Sequence, residues 1–518
     1  MDPLIGEPVE QMDPLMVSLS NHERTRFVPL ACAIVAAIGG VFVAWHYHRL
    51  GLTLTHYDAR GHLVVARRIF DSITPGWQQI GAVWLPLPHL LNAIPVQIDL
   101  FYRTGASAVA ISIAAFAVAT GAIASIVLML TASPAAAAAG AAVFALNPNV
   151  LYLQSTPMTE PLLIALTTVA IAWTIRSLLV DGSAPTTGFT GSVFALACLT
   201  RYEAWPVTAS ALAAAVWARW RRGEPFADAM RSVARIAVYP ALAIVAFAIF
   251  SRVVVGRWFV SSDFFVPENK SLHDPIMAAK EIGWGLRAMS GHLLVVGGAS
   301  GVAMLAALGL FDRRRGAGLV AVALVATAVV PWLAFYDGHP FRIRYMVPLL
   351  AAEAIGAGFV AGLVRRAAIP ASLIILTLVA YELHPLDASA PMVVEAQWDR
   401  PNEPERARVT ACIGRPGTGQ KIMASMGSLG HYMQDASRDG FAIRDFLHEG
   451  NGDIWLAALE NPLPFAEWIL IEEKAEGGDL LAKHARERPA FLRGYSRACE
   501  GAGLALYVRS GSSRRTGK

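Results

Sequence analysis

The sequence predicts a polytopic α-helical membrane protein that ends in a small α/β domain. Of its 518 residues, 55% are hydrophobic and only 16% are charged, whereas soluble globular proteins carry roughly 25% charged residues. Apolar runs long enough to cross a bilayer recur as far as residue 384, and the composition then becomes polar. These observations exclude a disordered chain, a disulfide-rich secreted domain and an ordinary soluble enzyme. The net charge of +4 forms no basic stripe, so we expect no nucleic-acid partner.

A helix needs about 20 mainly apolar residues to span a bilayer, and on this rule we predict about eleven spans. The predicted spans cover residues 27–48, 105–131, 135–153, 161–180, 188–201, 203–220, 234–255, 288–311, 317–336, 344–364 and 367–384. The chain is thereby divided into an N-terminal segment (1–26), a membrane domain (27–384) and a polar domain (385–518). An odd number of spans places the first and the last of these on opposite sides of the membrane.

The arginines of short loops indicate which side is cytoplasmic, because cytoplasmic loops carry an excess of Lys and Arg. If the N-terminus is cytoplasmic, the inner loops contain the arginine groups at 219–222, 313–315 and 365–366. We therefore expect a cytoplasmic N-terminus in a plasma (inner) membrane, with the C-terminal domain on the extracytoplasmic (periplasmic) side.

The C-terminal domain shows an α/β pattern. Strand-like runs at 421–427, 467–473 and 504–510 alternate with stretches of helical character. Cys412 and Cys499 lie in this domain, and two cysteines can form a disulfide where the compartment is oxidising. The sequence alone leaves their pairing open.

The first outer loop, residues 50–104, contains two amphipathic or apolar stretches. The first has apolar residues at helical spacing, which predicts a helix lying in the membrane interface; they are Leu63, Ala66, Ile69, Phe70 and Ile73. The second stretch, 83–98, begins with prolines that suit a helix N-terminus. Two such helices would border a cavity at the membrane surface.

Four polar clusters that are far apart in the sequence fall on the same, outer face in this topology. They are THYDARGH at 55–62, TPMTEP at 156–161, TRYEAW at 200–205 and FYDGHPFRIRY at 335–345. Each cluster is a weak signal by itself, and their common side makes them the candidate functional site.

Asp58 comes directly before the predicted interfacial helix. One interpretation is an N-cap, because Asp accepts hydrogen bonds from free helix N–H groups. The other is a general base at the membrane edge, and the two roles are compatible. His62 follows four residues later on the same helix face, either as an ordinary interfacial histidine or as a group that assists the reaction.

Glu160 begins the fourth predicted span, and Arg201, Tyr202 and Glu203 interrupt the apolar sequence further along. Ionisable residues near membrane depth are costly and usually face a cavity. Arg201 is therefore either a member of a simple ion pair with Glu160 or Glu203, or part of a substrate site.

The last polar cluster contains His339, Arg342 and Arg344. Two guanidiniums at alternate positions suit a phosphate, which arginine binds through paired donors. The alternative is that both arginines extend from the end of a span towards the aqueous interface, as long basic side chains commonly do.

Together these motifs resemble the GT-C superfamily of integral membrane glycosyltransferases, and above all its polyprenyl-phosphate-sugar-dependent branch. That branch contains the protein O-mannosyltransferases and the lipid A aminoarabinose transferases. The resemblance covers roughly residues 50–350 and is carried by HYDARGHLVVARRIFD, WLPLPHLL, LNPNVLYLQSTPMTEPLL, LTRYEAWP and FRIRYMVPLL. It implies juxtamembrane helices in the first outer loop and a cavity open to both the bilayer and the outer aqueous phase.

The resemblance also implies a reaction. A sugar carried on a polyprenyl phosphate enters from the bilayer, and a hydroxyl of a glycan, glycolipid or protein accepts it in one inverting displacement. Asp58 would be the general base. The leaving phosphate would be stabilised by cations, for which the candidates are Arg201, Arg342 and Arg344, with His62 or His339 assisting. The lipid-linked sugar is a substrate, so this scheme needs no cofactor and no metal, and its partners are the donor, the acceptor and membrane lipids.

The sequence departs from this branch at one point. Many of these transferases have adjacent Asp and Glu after the first span, whereas here Asp58 is followed by Ala59. A second acid would therefore come from Glu160 or Glu203, or be dispensable.

Three other functions stay open. A lipid or sugar transporter or flippase would use the same ionisable residues to line a path, although inverted repeats would be expected. A non-catalytic subunit of polysaccharide assembly would act through its outer domain. An oligosaccharyltransferase of the same superfamily would need a divalent metal ion and a peptide site.

Overall fold

A computed structural model describes residues 14–81, 83–179, 187–258, 269–414, 416, 420–474 and 478–511. Residues 1–13 of the predicted N-terminal segment lie outside this range, as do residues 259–268 of the outer loop that follows the seventh predicted span. The membrane domain is helical, and its helices are α1 (Pro14–Arg49), α2 (Tyr57–Arg67), α3 (Leu87–Asn92), α4 (Asp99–Thr104), α5 (Ala106–Thr131), α6 (Pro134–Ala145), α7 (Pro148–Leu153), α8 (Glu160–Leu179), α9 (Thr187–Cys198), α10 (Ala204–Arg221), α11 (Phe226–Val254), α12 (Pro275–Ser290), α13 (His292–Phe311), α14 (Gly318–Val322), α15 (Val329–Tyr336), α16 (Leu349–Gly362) and α17 (Ala368–Glu382).

Within the described residues, seven helical segments are long and apolar enough to cross a membrane. They are Phe27–Arg49, Ala106–Thr131, Glu160–Leu179, Phe226–Val254, His292–Phe311, Gly318–Tyr336 and Ile343–Gly362. The other predicted spans coincide with shorter or more polar helices, such as α6 and α9. The helical membrane fold is confirmed, and the number of eleven spans stays a prediction.

The helices at the outside of the bundle expose apolar side chains. Phe42 of α1 is 68% exposed, Leu242 of α11 is 64% exposed and Ile369 of α17 is 68% exposed. Contiguous exposed apolar surface of this kind is rare on soluble monomers. It indicates the surface that contacts lipid.

Helices α13 and α16 approach each other through glycines. A Cβ atom built on Gly301 would collide with the carbonyl oxygen of Gly356, and one built on Gly356 would collide with that of Gly298. Small residues let the backbones of membrane helices pack closely. Arg344 lies in the turn that leads into α16. The contact between α13 and α16 therefore helps to position the part of the candidate site that contains Arg344.

The first outer loop differs from the predicted pair of interfacial helices. Helix α2 begins at Tyr57, earlier than expected, and nine of its eleven residues are buried, so it does not lie on the membrane with a free polar face. The second stretch is interrupted because Pro95 cannot continue a helix. It forms α3, the 3₁₀ turn Pro95–Gln97 and α4, and it exposes apolar side chains such as Ile94, at 76%.

The C-terminal domain contains a five-stranded sheet covered by helices. Its elements are α18 (Pro391–Ala396), α19 (Glu403–Ile413), β1 (Ile422–Ala424), α20 (Met426–Ala436), β2 (Phe446–Leu447), α21 (Asp453–Glu460), β3 (Trp468–Glu472), α22 (Leu480–Glu487), β4 (Tyr495–Gly501) and β5 (Leu504–Arg509). The strand order is β2-β1-β3-β5-β4, with β1 parallel to β2 and β3, and β5 antiparallel to β3 and β4. The three predicted strands are confirmed as β1, β3 and β5, while β2 and β4 were not predicted.

The C-terminal domain packs directly on α2. Leu63 and Val64 of α2 share one buried apolar cluster with Leu429 and Met433 of α20. A disulfide between Cys412 and Cys499 joins α19 to β4 inside the domain. Helix α2 is thus enclosed between the membrane helices and the C-terminal domain.

Candidate active site

The first turn of α2 presents Asp58 to the membrane domain. His56 is the N-cap residue of this helix, and its Nδ1 accepts a hydrogen bond of 3.1 Å from the backbone N–H of Asp58. The interpretation of Asp58 as the N-cap is therefore wrong, because the preceding histidine already fulfils that role. The Asp58 carboxylate is left free to make contacts of its own.

Asp58 forms an ion pair with Arg344, and both side chains are 8% exposed. Arg344 lies in the 3₁₀ turn Ile343–Met346, which precedes α16. This turn is fixed from the other side by Glu395 of α18, whose Oε2 accepts a hydrogen bond of 2.7 Å from the backbone N–H of Ile343. Two clusters almost 300 residues apart in the sequence are thus joined at one buried charge pair.

Arg201 forms a second charged group with two carboxylates. Its Nη1 lies 3.0 Å from Oε1 of Glu160, and its Nη2 donates a hydrogen bond of 2.7 Å to Glu203. Glu160 begins α8 and is completely buried. Both predicted ion pairs of Arg201 are present, so its guanidinium is already occupied by carboxylates.

His62 is a further ionisable residue of the candidate site. Its pKa is lowered well below the usual value by burial and by His89, while Asp58 raises it and Arg344 and Arg201 lower it further. Members of both charged groups, Asp58 and Arg344 of the first and Arg201 of the second, are therefore close enough to His62 to change its pKa. At neutral pH its imidazole is therefore uncharged.

The surroundings of His62 are aromatic and polar. Its Nδ1 lies 3.0 Å from Nε2 of His89, and its ring centroid lies 4.1 Å from that of Trp84. Trp84 and His89 belong to the first outer loop. The interpretation of His62 as an ordinary interfacial histidine is wrong, because the side chain is buried.

Asp58 is ionised in this environment. Burial raises the pKa of its carboxyl group, but the attraction of Arg344, followed by that of His56 and His62, outweighs burial and lowers the pKa to about 2. A carboxylate with so low a pKa is a weak base while it keeps its arginine partner.

The remaining predicted residues have other neighbours. The Arg342 guanidinium lies 5.4 Å from the ring centroid of Trp398, and the ring centroids of His339 and Tyr345 are 5.5 Å apart. Tyr202 packs edge-to-face against Trp205, with 5.2 Å between the ring centroids. His339 and Tyr345 lie beside Arg344, whose Nη2 donates a hydrogen bond of 3.4 Å to the Tyr345 hydroxyl oxygen.

Comparison with solved structures identifies the fold. ArnT from Cupriavidus metallidurans, bound to undecaprenyl phosphate, is similar with a TM-score of 0.57 and 12% sequence identity, over 92% of this chain and 98% of ArnT. The apo state of the same protein gives 0.57 and 12%, over 92% and 97%. The chain shares its fold with ArnT. ArnT, the lipid A aminoarabinose transferase, belongs to the GT-C superfamily, so the predicted resemblance is confirmed at the level of the fold.

A second neighbour is more distant. The apo form of an oligosaccharyltransferase from Archaeoglobus fulgidus gives a TM-score of 0.49 and 12% identity, over 86% of this chain and 70% of the other. No protein-family model matches the sequence, and no curated protein matches it.

Several residues of the site were missed by the sequence analysis. His56, Tyr57 and Glu395 lie at the Asp58–Arg344 pair or support it, and Trp84 and His89 enclose His62. His56 and Tyr57 adjoin Asp58 in the sequence, so their position was a usable signal. Glu395 gave none, because it comes from a segment whose contact with the membrane domain depends on the tertiary fold.

The described part of the chain contains no group of three or more His, Cys, Asp or Glu side chains arranged to hold a metal ion.

Proposed function

We propose that the chain is an inverting glycosyltransferase that moves a sugar from a polyprenyl phosphate to an acceptor hydroxyl, with Asp58 as the general base. The observation that carries this proposal is the buried Asp58–Arg344 pair, in which a carboxylate and a guanidinium lie side by side. The fold supports it, since ArnT, which shares the fold over nearly its whole length, was crystallised with undecaprenyl phosphate.

The proposed reaction is a single displacement at the anomeric carbon. The Asp58 carboxylate takes the proton of the acceptor hydroxyl while the acceptor oxygen forms a bond to that carbon. The bond between the carbon and the phosphate oxygen breaks, and its electron pair leaves with the polyprenyl phosphate. The phosphate gains one negative charge, which the Arg344 guanidinium stabilises better in the transition state than in the bound donor.

The pairing of Asp58 with Arg344 gives donor binding a second consequence. When the donor phosphate attracts the Arg344 guanidinium, Asp58 loses part of the interaction that holds its pKa at about 2. Burial raises the pKa of the Asp58 carboxyl group, and less attraction from Arg344 then opposes this effect. The carboxylate becomes a stronger base. The base is thereby strengthened only when a donor is in place.

The other residues have supporting roles in this proposal. Arg201 is a second candidate for contact with the donor phosphate, but Glu160 and Glu203 already compensate the charge of its guanidinium, so we assign the leaving phosphate to Arg344. Neither of these carboxylates contacts Asp58 in the described structure, so we assign the proton transfer to Asp58 alone. His62 and His339 assist as hydrogen-bonding groups, and Arg342 and Tyr202 line the approach to the site.

We further propose that the C-terminal domain lies outside the cytoplasm, in the periplasm if the host has an outer membrane. The disulfide between Cys412 and Cys499 supports this orientation, because such bonds form and persist in oxidising compartments. The site would then face the outer surface of the plasma membrane, where an acceptor glycan, glycolipid or protein is available.

Lipid binding and transfer test the proposal separately. The purified full chain is placed in nanodiscs and titrated with undecaprenyl phosphate. We expect binding that Arg344→Gln weakens at least about tenfold, since a charged hydrogen bond to phosphate is lost. Arg365→Gln, an exposed arginine on the opposite side by the predicted topology, serves as the control and should bind normally.

Transfer is then followed as the release of undecaprenyl phosphate from undecaprenyl-phosphate arabinose, mannose or glucose, tested one by one with membrane extract as the source of acceptor. We expect release with one of these donors, lowered about 10²–10⁴-fold by Asp58→Asn and unaffected by EDTA. Full activity of the Asp58→Asn variant would refute the assignment of the base. Dependence on a divalent metal would favour an oligosaccharyltransferase, and vectorial movement of lipid without release would favour a flippase.

A further inference from the structure

Arg60 is the largest completely buried side chain among the described residues, at 1% exposure. It lies on the first turn of α2, two residues after Asp58. A buried guanidinium is strongly unfavourable unless it is paired. Its partners therefore show what this part of α2 is attached to.

The carboxylate partners of Arg60 come from the polar segment that follows α17. Its Nη2 lies 3.1 Å from Oδ2 of Asp399, its Nη1 lies 3.8 Å from Oε1 of Glu403, and it also forms an ion pair with Asp435 of α20. The contact within its own loop is a hydrogen bond of 3.5 Å to the carbonyl oxygen of Thr55. Arg60 thus connects α2 to the C-terminal domain.

A second cation completes this network. Arg406 of α19 pairs with Asp399, and one of its nitrogens lies 2.8 Å from Nε2 of His431. The His431 ring packs edge-to-face against that of Tyr57, with 6.3 Å between the centroids. The C-terminal domain therefore surrounds the same helical turn that carries Asp58.

The first turn of α2 is held from two opposite directions. Asp58 is paired with Arg344 of the membrane domain, and Arg60 is paired with the C-terminal domain. Because the two residues share one hydrogen-bonded turn, a displacement of Arg60 also displaces the Asp58 carboxylate. Reacting groups tolerate little displacement, since a misplacement of about 1 Å can cost on the order of 100-fold in rate.

We infer that Arg60 is a positioning residue, through which the C-terminal domain holds Asp58 at the reacting centre. This inference rests on the proposed function, since it takes Asp58 as the base. Arg60 itself touches neither substrate, because its guanidinium is covered by protein and bound to three carboxylates. The C-terminal domain is accordingly a part of the catalytic unit.

The test compares Arg60→Gln with Arg67→Gln in the full chain in nanodiscs. Arg67 is a matched control, since it lies on the same helix and is also paired with two carboxylates, those of Asp71 and Asp99, but at the far end from Asp58. Three quantities are measured: the melting temperature, the affinity for undecaprenyl phosphate, and kcat and KM for release of undecaprenyl phosphate from the active donor.

Both variants should melt at lower temperature and still bind undecaprenyl phosphate. We expect only Arg60→Gln to lower kcat, on the order of 100-fold, with KM for the donor little changed. Arg60→Lys, which retains one ion pair, should recover part of kcat. Asp435→Asn, at a partner that is 28% exposed, provides a milder variant if Arg60→Gln does not fold, and it should lower kcat in the same direction.

Equal losses of kcat in the Arg60→Gln and Arg67→Gln variants would overturn the inference, because both residues would then act only through stability. Normal kcat in folded Arg60→Gln or Asp435→Asn, beside an inactive Asp58→Asn, would refute the positioning role and leave the proposed function intact. Activity in Asp58→Asn would instead refute the proposed function.

Discussion

The Asp58–Arg344 pair combines a structural and a chemical role at the scale of single residues. Removing one member of a buried pair leaves an uncompensated charge and typically costs about 3–5 kcal/mol. An anionic ligand can supply the missing charge. The same pair therefore stabilises the protein without donor and competes with the donor phosphate for Arg344.

The variant Asp58→Asn separates these two roles. We expect transfer to fall about 10²–10⁴-fold, the usual contribution of a general base. The lipid-free protein should lose stability because Arg344 has no counterion, and undecaprenyl phosphate should bind more tightly than to the wild type because the competing carboxylate is gone. The measurement is the rise in melting temperature on adding undecaprenyl phosphate, which should be larger in the variant.

The control for this experiment is Asp439→Asn, an exposed aspartate of the C-terminal domain. It changes the net charge equally and should leave the lipid-induced rise in melting temperature as in the wild type. An equal rise in Asp58→Asn and the wild type would contradict the competition between carboxylate and phosphate for Arg344.

The predicted site residues were recognisable because charges are scarce in an apolar chain. Asp58, Glu160, Arg201 and Arg344 each interrupt or flank a long apolar run, and a buried charge needs a partner. Which charges pair was beyond the sequence, since Asp58 could equally have met Arg201. The burial of Arg60 was not predicted, because nothing local shows that a domain more than 300 residues later covers it.

At the scale of helices, the contact between α13 and α16 depends on glycine. Gly301→Ala should destabilise the protein by about 1–3 kcal/mol, because the added methyl group meets the backbone of Gly356 and forces the helices apart. Gly297→Ala is the matched control on the same helix, since nothing lies within 4 Å of its Cβ position. Melting temperatures check this prediction. Equal values for the two variants would mean that the close approach of α13 and α16 is not required.

The disulfide between α19 and β4 yields a second prediction for elements. It closes a loop with a sequence separation of 87 residues, for which chain-entropy arguments give about 4–5 kcal/mol of stabilisation. Reduction, or the double variant Cys412→Ser/Cys499→Ser, should lower the stability of the C-terminal domain by that order. Protein from cells, alkylated under denaturing conditions without reductant, should be labelled at Cys32 and Cys198 alone. Labelling at all four cysteines would place the domain in a reducing compartment.

The helices and strands themselves could largely be predicted, and their surroundings could not. The apolar run at 105–131 and helix α5 coincide within a residue, because burial and lipid contact both require the same composition. Helix α2 was placed too far along the chain, because Ile69, Phe70 and Ile73 continue the apolar spacing after the helix ends at Arg67. Strand β2 has two residues, too few for any periodicity.

At the scale of the whole molecule, histidines with little solvent exposure occur in the first outer loop and in the C-terminal domain that packs on it. His62 and His89 belong to the loop and are buried, and the C-terminal domain contributes the half-buried His431 and the buried His448. His448 caps a turn whose Gly450 carbonyl oxygen accepts a hydrogen bond of 2.6 Å from Gln79 of the loop. Protonation of these imidazoles would bring positive charge into a region that already contains buried arginines.

From the environments of these four histidines we predict how the stability of the protein changes with pH. Burial, followed by nearby arginines, lowers the pKa of His89, His431 and His448 to about 3, and His62 is shifted in the same direction by burial and His89. In the unfolded chain these groups bind protons below about pH 6.5. In the folded state these groups stay unprotonated at that pH. Their neutral forms therefore contribute fully to the free energy of unfolding above about pH 6.5, and this contribution is lost as the pH falls.

Each such histidine should reduce the free energy of unfolding by about 1.4 kcal/mol per pH unit once the pH is below 6.5. Burial raises the pKa of Asp479 to about 6, which stabilises the folded state on further acidification and opposes this trend below pH 6.

A direct comparison of variants therefore isolates the histidine contribution. His448→Gln keeps an acceptor for the Gly450 N–H and should weaken the pH dependence of the melting temperature between pH 7.5 and 5.5, whereas His48→Gln, at an exposed position, should leave it unchanged. Identical pH profiles of His448→Gln and the wild type would mean that this histidine has the same pKa in the folded and the unfolded chain, and the interface between the two domains would then have to accommodate a cation at low pH.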